Sequence, residues 1–171
     1  MRPIVRGKAG AKVEFGAKIS VSLIEGFAFV DNLSWDNFNE SGDLITQIEL
    51  YKERTGYYPE SVHADQIYRT RANRDYCVSK KVRLSGPLLG RPSKDKEQEK
   101  IKKKQIRQDE IERIPVEGKF GQSKRRYSLD RVMTKTRETS EALINLVFLV
   151  MNLDKLLGEF IFIFFTRRDS S

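Results

Sequence analysis

The segment Lys12-Val-Glu-Phe-Gly-Ala-Lys-Ile-Ser-Val-Ser-Leu-Ile-Glu25 places an apolar residue at every second position. The apolar positions are Val13, Phe15, Ala17, Ile19, Val21 and Leu23. A period of two is typical of a half-buried β-strand. Glu25-Gly26 can form a tight turn, and residues 27–35 have the composition of a second strand. The stretch therefore predicts a β-hairpin.

The next segment has a helical pattern instead. Asp43 is placed to cap a helix, and Gly56 is placed to end it. The apolar residues between them recur at helical spacing, at Leu44, Ile45, Ile48 and Tyr51. This periodicity predicts a helix that begins at Asp43 and ends at Gly56.

Further along the chain, short strand patterns alternate with helical ones. Residues 61–65 predict a short strand ending on an acid, and residues 67–81 predict a helix starting near Thr70. Residues 82–85 predict another strand, which Gly86-Pro87 terminates. This order, followed by helices, predicts an α/β fold with a mixed sheet.

The positive charge is concentrated in one region. Residues 91–137 contain 16 Lys and Arg against 8 Asp and Glu, an excess equal to the net charge of +8. Such a block favours a polyanionic partner, with nucleic acid ahead of an acidic membrane surface. A solvated linker or exposed helix explains the same charges, so the composition leaves both interpretations open.

Cysteine and histidine content limits the chemistry. Cys77 is the only cysteine and His63 the only histidine, so neither an intramolecular disulfide nor a cysteine-based zinc site is expected. A bound metal would have carboxylate ligands, which favours Mg²⁺ or Mn²⁺. The N-terminus lacks the apolar core of a signal peptide, and a reducing cytoplasm is the expected compartment.

The C-terminal region is apolar but interrupted. Residues 143–165 are rich in Leu, Phe and Ile, yet Asn152, Asp154, Lys155 and Glu159 break the run. A membrane span needs about 20 mostly apolar residues. We therefore predict an amphipathic helix over residues 139–157 followed by a short apolar tail, and no membrane partner.

Two groups of residues are candidates for chemistry. Asp65 follows a predicted strand, where open α/β sheets often place their active sites, although an Asp there is commonly a cap or turn residue. Arg113, Glu117 and Lys124 are spaced by four and seven residues, which places them on one face of a continuous helix. Arg113 and Glu117 equally fit an ordinary helical ion pair. Pro115 allows a helix that begins there instead, which would leave Arg113 outside it.

The spacing Arg113-x3-Glu117-x6-Lys124 resembles the signature around the catalytic Glu of insertion-sequence DDE transposases. Several other segments resemble that family in the same order along the chain. They are Arg2-Pro-Ile-Val-Arg-Gly-Lys8 with Val13-Glu-Phe-Gly-Ala-Lys18, Ala64-Asp65-Gln-Ile-Tyr68-Arg69-Thr-Arg71-x2-Arg74, Val116-Glu-Gly-Lys-Phe-Gly121, Arg125-Arg126-Tyr127 and Phe148-Leu-Val-Met-Asn152. The resemblance extends to about Leu157.

The resemblance implies a ribonuclease H-like core in which three carboxylates hold two Mg²⁺ or Mn²⁺ ions. Asp65 would be the second ligand and Glu117 the third. The implied activity is DNA cleavage and strand transfer during transposition of a bacterial mobile element, with element ends and target DNA as partners. Homo-oligomers and a nucleoid location are also implied, and no small-molecule substrate is expected. The basic residues implied to contact the DNA backbone are Arg113, Lys124, Arg69, Arg71, Arg74, Arg125 and Arg126.

The sequence departs from the family pattern at two points. Glu110 occupies the position three residues before Arg113 where the family has a Tyr. Asp31 and Asp36 lie on or just after the second hairpin strand, which is the wrong element for the first catalytic Asp. We therefore expect the chain to lack that first strand and any N-terminal DNA-binding region, and to be inactive alone. The alternative is a non-catalytic DNA-binding or oligomerising protein that modulates an intact transposase.

The predicted fold is thus an incomplete ribonuclease H-like mixed sheet with flanking helices and a basic charged insertion. Its expected segments are a partial core over residues 1–90, a charged basic linker or exposed helix over 91–112, a helical part with Glu117 over 113–157, and an apolar tail over 158–171.

Overall fold

A computed structural model describes residues 4–5, 13–14, 16–36, 38–87 and 96–168 of the chain. Most of the basic lead-in before residue 12 and the loop at residues 90–93 lie outside these ranges. The chain divides into two compact units. Unit 1 contains residues 1–20 and 31–115, and unit 2 contains residues 21–30 and 116–171.

The predicted hairpin is present. Strands β1 (Ile4–Val5) and β2 (Val13–Glu14) pair antiparallel, and β3 (Lys18–Ile24) pairs with β4 (Phe27–Ser34). Glu25 and Gly26 have φ values of 51° and 82°. Two consecutive positive φ angles characterise a two-residue turn whose twist matches that of the strands it joins. The predicted strand over residues 12–25 is thus divided between β2 and β3.

Helix α1 (Asp43–Thr55) follows a 3₁₀ turn at Glu40–Gly42. Gly56 ends the helix in the left-handed conformation (φ 88°), and its N–H donates to the Lys52 carbonyl at 2.7 Å, as expected for a C-terminal glycine. The prediction that Asp43 caps the helix is wrong, because Asp43 is already helical. Its carboxylate instead accepts hydrogen bonds from Ser20 and Asn32 of the hairpin strands.

Strands β5 (Ser61–Val62) and β6 (Arg83–Leu84) form a parallel pair, with Ser61 opposite Arg83 and Val62 opposite Leu84. Helix α2 (Arg71–Ser79) connects them, and the Thr70 hydroxyl caps it by accepting from the Asn73 N–H at 3.2 Å. The predicted helix start near Thr70 is confirmed. The core of unit 1 lies between α1, α2 and this strand pair and contains Leu44, Ile48, Cys77 and Val82.

The α/β class is therefore confirmed, although both parallel strands are shorter than predicted. In the described part of the chain, the strands pair as three two-stranded ladders.

Helix α3 (Lys96–Arg126) runs without interruption through Pro115. The alternative of a helix beginning at Pro115 is therefore wrong. An internal proline costs about 3 kcal/mol because it removes one backbone hydrogen bond and crowds the preceding turn. The helix has buried residues on either side of it, Asp109 in unit 1 and Ser123 in unit 2, which stabilise the two halves.

Helix α4 (Arg137–Arg168) is longer than predicted, because the expected apolar tail continues as helix to Arg168. One face of α4 forms the core of unit 2 through Ile144, Val147, Phe148 and Met151. A bilayer-spanning helix is not found in the described ranges.

Candidate functional site

Asp65 lies three residues after β5, on a loop that several hydrogen bonds hold in place. The Ser85 hydroxyl, at the end of β6, accepts from the Ala64 N–H at 3.2 Å. Asp65 itself begins a 3₁₀ turn (Gln66–Tyr68), where its carboxylate accepts from the Gln66 N–H at 2.6 Å. The Asp65 side chain is exposed. Asp65 therefore acts as a cap, which is the commoner role of an Asp at this position. The cap hydrogen bond also holds the carboxylate at the surface.

Asn73 connects this loop to the neighbouring 3₁₀ turn. Its buried side-chain amide donates to the carbonyls of Tyr68 and Ser41, each at 2.7 Å. A buried amide with both bonds made holds two backbone segments in one arrangement, since breaking either leaves an unsatisfied polar group. The loop that carries Asp65 is thus fixed from both ends.

Three carboxylates act on the Tyr68 hydroxyl, and one of them, Glu40, is itself paired with Lys18 at 3.0 Å. Burial, and after it the negative charges of Glu40, Asp43 and Asp65, together raise the pKa of the Tyr68 hydroxyl to about 12. Neighbouring carboxylates disfavour additional negative charge and favour a cation. The oxygen chemistry of this region suits a hard divalent cation such as Mg²⁺.

Glu117 lies on α3, is exposed, and belongs to unit 2. Because the helix continues through Pro115, Arg113 lies within it, and the steps of four and seven residues place Arg113, Glu117 and Lys124 on one helical face. Lys124 is also exposed, whereas Arg113 is half-buried. Glu117 and Arg113 both take part in interactions with neighbouring groups.

Asp65 and Glu117 therefore each present a carboxylate, one in unit 1 and one in unit 2. Within the residues that the structure describes, no group of three or more His, Cys, Asp or Glu side chains forms a metal-binding cluster. The donor chemistry of Asp65 fits the expected ions, but a complete ligand set is not assembled in these ranges.

The three arginines that follow Asp65 have different environments. Arg69 donates from its guanidinium to the Pro87 carbonyl and lies against Gly86, where a Cβ atom would come within 2.7 Å of it. Arg74 is half-buried and donates to the Thr70 carbonyl at 3.4 Å. Arg71 is exposed and lies 3.8 Å from Asp75 in a surface ion pair. Arg71 is thus the most accessible of the three to a phosphate.

The two arginines at the end of α3 are exposed but not equivalent. Arg125 donates only to the Gly121 carbonyl, at 3.3 Å, among the contacts described. Arg126 forms an ion pair with Asp154 at 3.0 Å, and Asp154 also accepts from the Tyr127 hydroxyl at 2.5 Å. That hydrogen bond raises the pKa of Tyr127, and burial adds to the effect. Arg126 therefore has a structural partner in unit 2, whereas Arg125 extends to solvent.

A buried ionic cluster in unit 1 was not predicted from the sequence. Asp109 of α3 is 4% exposed, and both its oxygens lie 2.8 Å from the Arg83 guanidinium. His63 lies between two acids of the same helix, with Nε2 2.9 Å from Glu112 and Nδ1 3.6 Å from Asp109. Burial raises the pKa of Asp109, but hydrogen bonds from Gln105 and Arg83 and the charges of Arg83 and His63 outweigh it and lower the pKa overall.

This cluster attaches α3 to the β5–β6 pair, directly beside the loop that carries Asp65. The available signal was the spacing of Gln105, Asp109 and Glu112, which places three polar side chains on one face of α3. The same spacing occurs on any solvated charged helix, so the sequence could not identify the face that is buried.

The segment Phe148–Asn152, noted for its resemblance, has a clear structural role in unit 2. Phe148 packs edge-on against Phe120 with ring centroids 6.4 Å apart. The Asn152 side chain accepts from the Ala28 N–H and donates to the Ala28 carbonyl, both at 2.8 Å. The amide thereby satisfies both backbone groups of one residue on β4, in the way a neighbouring strand would.

Comparison with known protein families supports the resemblance carried by these residues. Residues 62–154 match the transposase DDE domain family, and the match covers more than half of the 171 residues. It includes Asp65, Glu117, the ionic cluster around Asp109 and the segment that ends at Asn152. Comparisons with curated proteins and with solved structures returned no match. The chain belongs to the transposase DDE domain family.

Proposed function

We propose that this chain carries two of the three carboxylates of a transposase that cleaves DNA and transfers strands in the transposition of a bacterial insertion sequence, on a ribonuclease H-like core, and that the chain is inactive without the first catalytic Asp. The observation that supports this most directly is the placement of Asp65. Its exposed carboxylate is fixed on a rigid loop after a parallel strand, in an electronegative neighbourhood, within the segment that matches the family.

Asp65 and Glu117 are the proposed carboxylate ligands of Mg²⁺ or Mn²⁺. Such ions, when bound, lower the pKa of an attacking hydroxyl and stabilise the charge on the leaving oxygen. The chain's own contribution is to hold the DNA backbone. Arg113 can contact two phosphate oxygens at once, whereas Lys124 acts as a point charge.

Arg71 and Arg125 are the further phosphate contacts best supported by exposure, and Arg69, Arg74 and Arg126 complete the proposed set. The protein would act on the chromosome in the bacterial cytoplasm, as a homo-oligomer on element ends and target DNA.

The experiment is nicking of supercoiled plasmid by the purified chain with Mn²⁺, comparing Asp65→Asn and Glu117→Gln with two matched controls. Asp75→Asn changes another exposed Asp of unit 1, and Glu110→Gln changes another exposed Glu of α3. Nicking that is lost in the first pair and retained in the second would show that Asp65 and Glu117 form a working site, with another acid in place of the missing Asp, and would contradict the expectation that the chain is inactive alone. Nicking that survives either Asp65→Asn or Glu117→Gln contradicts the role proposed for that carboxylate.

A second candidate function is non-catalytic DNA binding that modulates an intact transposase. The charge distribution favours it, since residues 91–137 carry the equivalent of the whole positive surplus. This alternative predicts DNA affinity that falls steeply with salt, because phosphate neutralisation releases counterions, and that Asp65→Asn leaves unchanged. Salt-dependent binding by a chain in which Asp65 and Glu117 share no metal selects this second function over the first.

A further inference from the structure

Helix α4 has two apolar faces, and only one of them is covered. Its buried residues, Ser140, Ile144, Val147, Phe148 and Met151, lie on one side of the helix and pack within unit 2. Large apolar side chains also occupy the opposite face and are exposed. A single amphipathic helix of a globular protein normally has one apolar face and one polar face.

The exposed face has a regular heptad pattern. We name it the α4 seam and define it by six residues whose steps alternate between three and four. They are Leu146, Leu149, Leu153, Leu156, Phe160 and Ile163. Each of the six side chains is 51–66% exposed. Val150, Leu157 and Phe164, also exposed, widen the seam along one side.

An alternation of three and four is the repeat that lets two helices interdigitate their side chains along their length. A helix with the same spacing is a partner that fits such a face. We propose that the partner is the α4 seam of a second copy of this chain, so that the protein self-associates through α4. This proposal is independent of the roles of Asp65 and Glu117.

The area of the seam is sufficient for a stable dimer. A fully buried Phe contributes on the order of 150–250 Å², so the exposed parts of Phe160 and Phe164 alone amount to roughly 200 Å². With the seven aliphatic side chains of the seam and its widening residues, the exposed area is on the order of 700 Å². Stable interfaces bury about 600–1,000 Å² per partner, so the exposed area falls within that range.

The charges around the seam also favour a second copy. The nine seam and widening residues include no charged residue, so two copies would meet without like-charge repulsion. A helix that lies on a membrane surface normally has a row of Lys or Arg beside its apolar face. In the part of α4 that carries the seam, residues 146–164, the only cation is Lys155, and it is paired with Glu159 of the same helix.

The test is the mass of the purified full chain in solution, by sedimentation or light scattering across a concentration series. The variant Leu149→Glu/Leu156→Glu places charges in the seam, whereas Phe162→Glu places one at another exposed apolar residue of α4 outside it. We expect a concentration-dependent oligomer whose dissociation constant rises about 100-fold or more in the seam variant and stays unchanged in the control.

A second measurement keeps the test valid if the seam variant is poorly folded. Cys77 is buried and is the only natural cysteine, so Leu153→Cys introduces a single accessible thiol near the middle of the seam. Mild oxidation is expected to cross-link two Leu153→Cys chains and not two Phe162→Cys chains. Three results would overturn the proposal: a monomer at every concentration, self-association that survives the seam variant, or binding to lipid vesicles by a chain that stays monomeric.

Discussion

Helices α3 and α4 are almost equal in length, at 31 and 32 residues, but opposite in character. α3 contains 11 Lys and Arg and 6 apolar side chains, whereas α4 contains 4 Lys and Arg and 18 apolar side chains. The first is held by polar contacts such as the Asp109 cluster, and the second by burial of Phe148 and Met151. The difference in composition matches the two proposals made above, in which α3 contacts DNA and α4 packs within unit 2 and self-associates.

The largest effect is expected from the buried face of α4. Phe148→Ala removes a core ring that packs on Phe120 and should lower the free energy of unfolding by about 3–5 kcal/mol. Phe162→Ala deletes the same atoms from an exposed position and should cost less than about 0.5 kcal/mol. Urea denaturation of both variants measures the difference. Equal losses would mean that the two faces of α4 are not distinct.

The second-largest loss of stability is expected at Asn152, whose side chain anchors α4 to strand β4. Asn152→Ala removes two hydrogen bonds and leaves both backbone groups of Ala28 without that partner, at a cost of about 2–3 kcal/mol. The control is Asn145→Ala, because the Asn145 amide donates only to a carbonyl of its own helix, Glu141, among the contacts described. Denaturation midpoints should separate the two variants clearly. An Asn152 variant as stable as the Asn145 variant would rule out the anchoring role.

The equivalent test for α3 is to remove the ion pair between Arg83 and Asp109. Arg83→Ala leaves a buried carboxylate with fewer partners and should cost about 1–2 kcal/mol, less than for a fully buried pair because Arg83 is itself partly exposed. Arg71→Ala breaks a surface pair and should cost less than about 0.5 kcal/mol. The same urea titrations apply, and a neutral Arg83→Ala would show that α3 does not depend on this contact.

The smallest expected effect is on the pH dependence of the free energy of unfolding. Because the pKa of Asp109 is lowered in the folded state, its ionised form contributes stability above the unfolded pKa of about 3.9, and that stability is lost as the pH falls through the lower folded pKa. The slope of stability against pH below about 4 should therefore be shallower in Asp109→Asn than in the unchanged chain. Asp75→Asn, at an exposed position, should keep the original slope. Identical slopes in all three proteins would contradict the assignment.

Local patterns predicted the elements that depend on neighbours in sequence. The hairpin turn at Glu25-Gly26, the end of α1 at Gly56 and the start of α2 after Thr70 are confirmed, because each is set by backbone conformation or by a cap within a few residues. The family was also recognisable, because several segments resemble its motifs in the same order along the chain, and residues 62–154 match it.

The predictions that were wrong depended on contacts between distant residues. Asp43 was expected to cap α1, but Ser20 and Asn32 from the hairpin bind its carboxylate instead. Pro115 was a reasonable helix start, but buried residues on both sides keep α3 continuous. The joint role of Asp65 and Glu117 and the segment boundaries at residues 90, 112 and 157 stay predictions.

The most direct test of the central claim is to locate a bound metal by the damage it causes. Fe²⁺ substituted for Mg²⁺ generates short-lived radicals in the presence of ascorbate and peroxide, and these cleave the backbone beside the ion. The account predicts two cleavage sites, near residues 65 and 117, that disappear together in either Asp65→Asn or Glu117→Gln and persist in Asp75→Asn. Cleavage near only one of the two positions, or two sites that respond separately to the two substitutions, would show that these carboxylates do not share a metal.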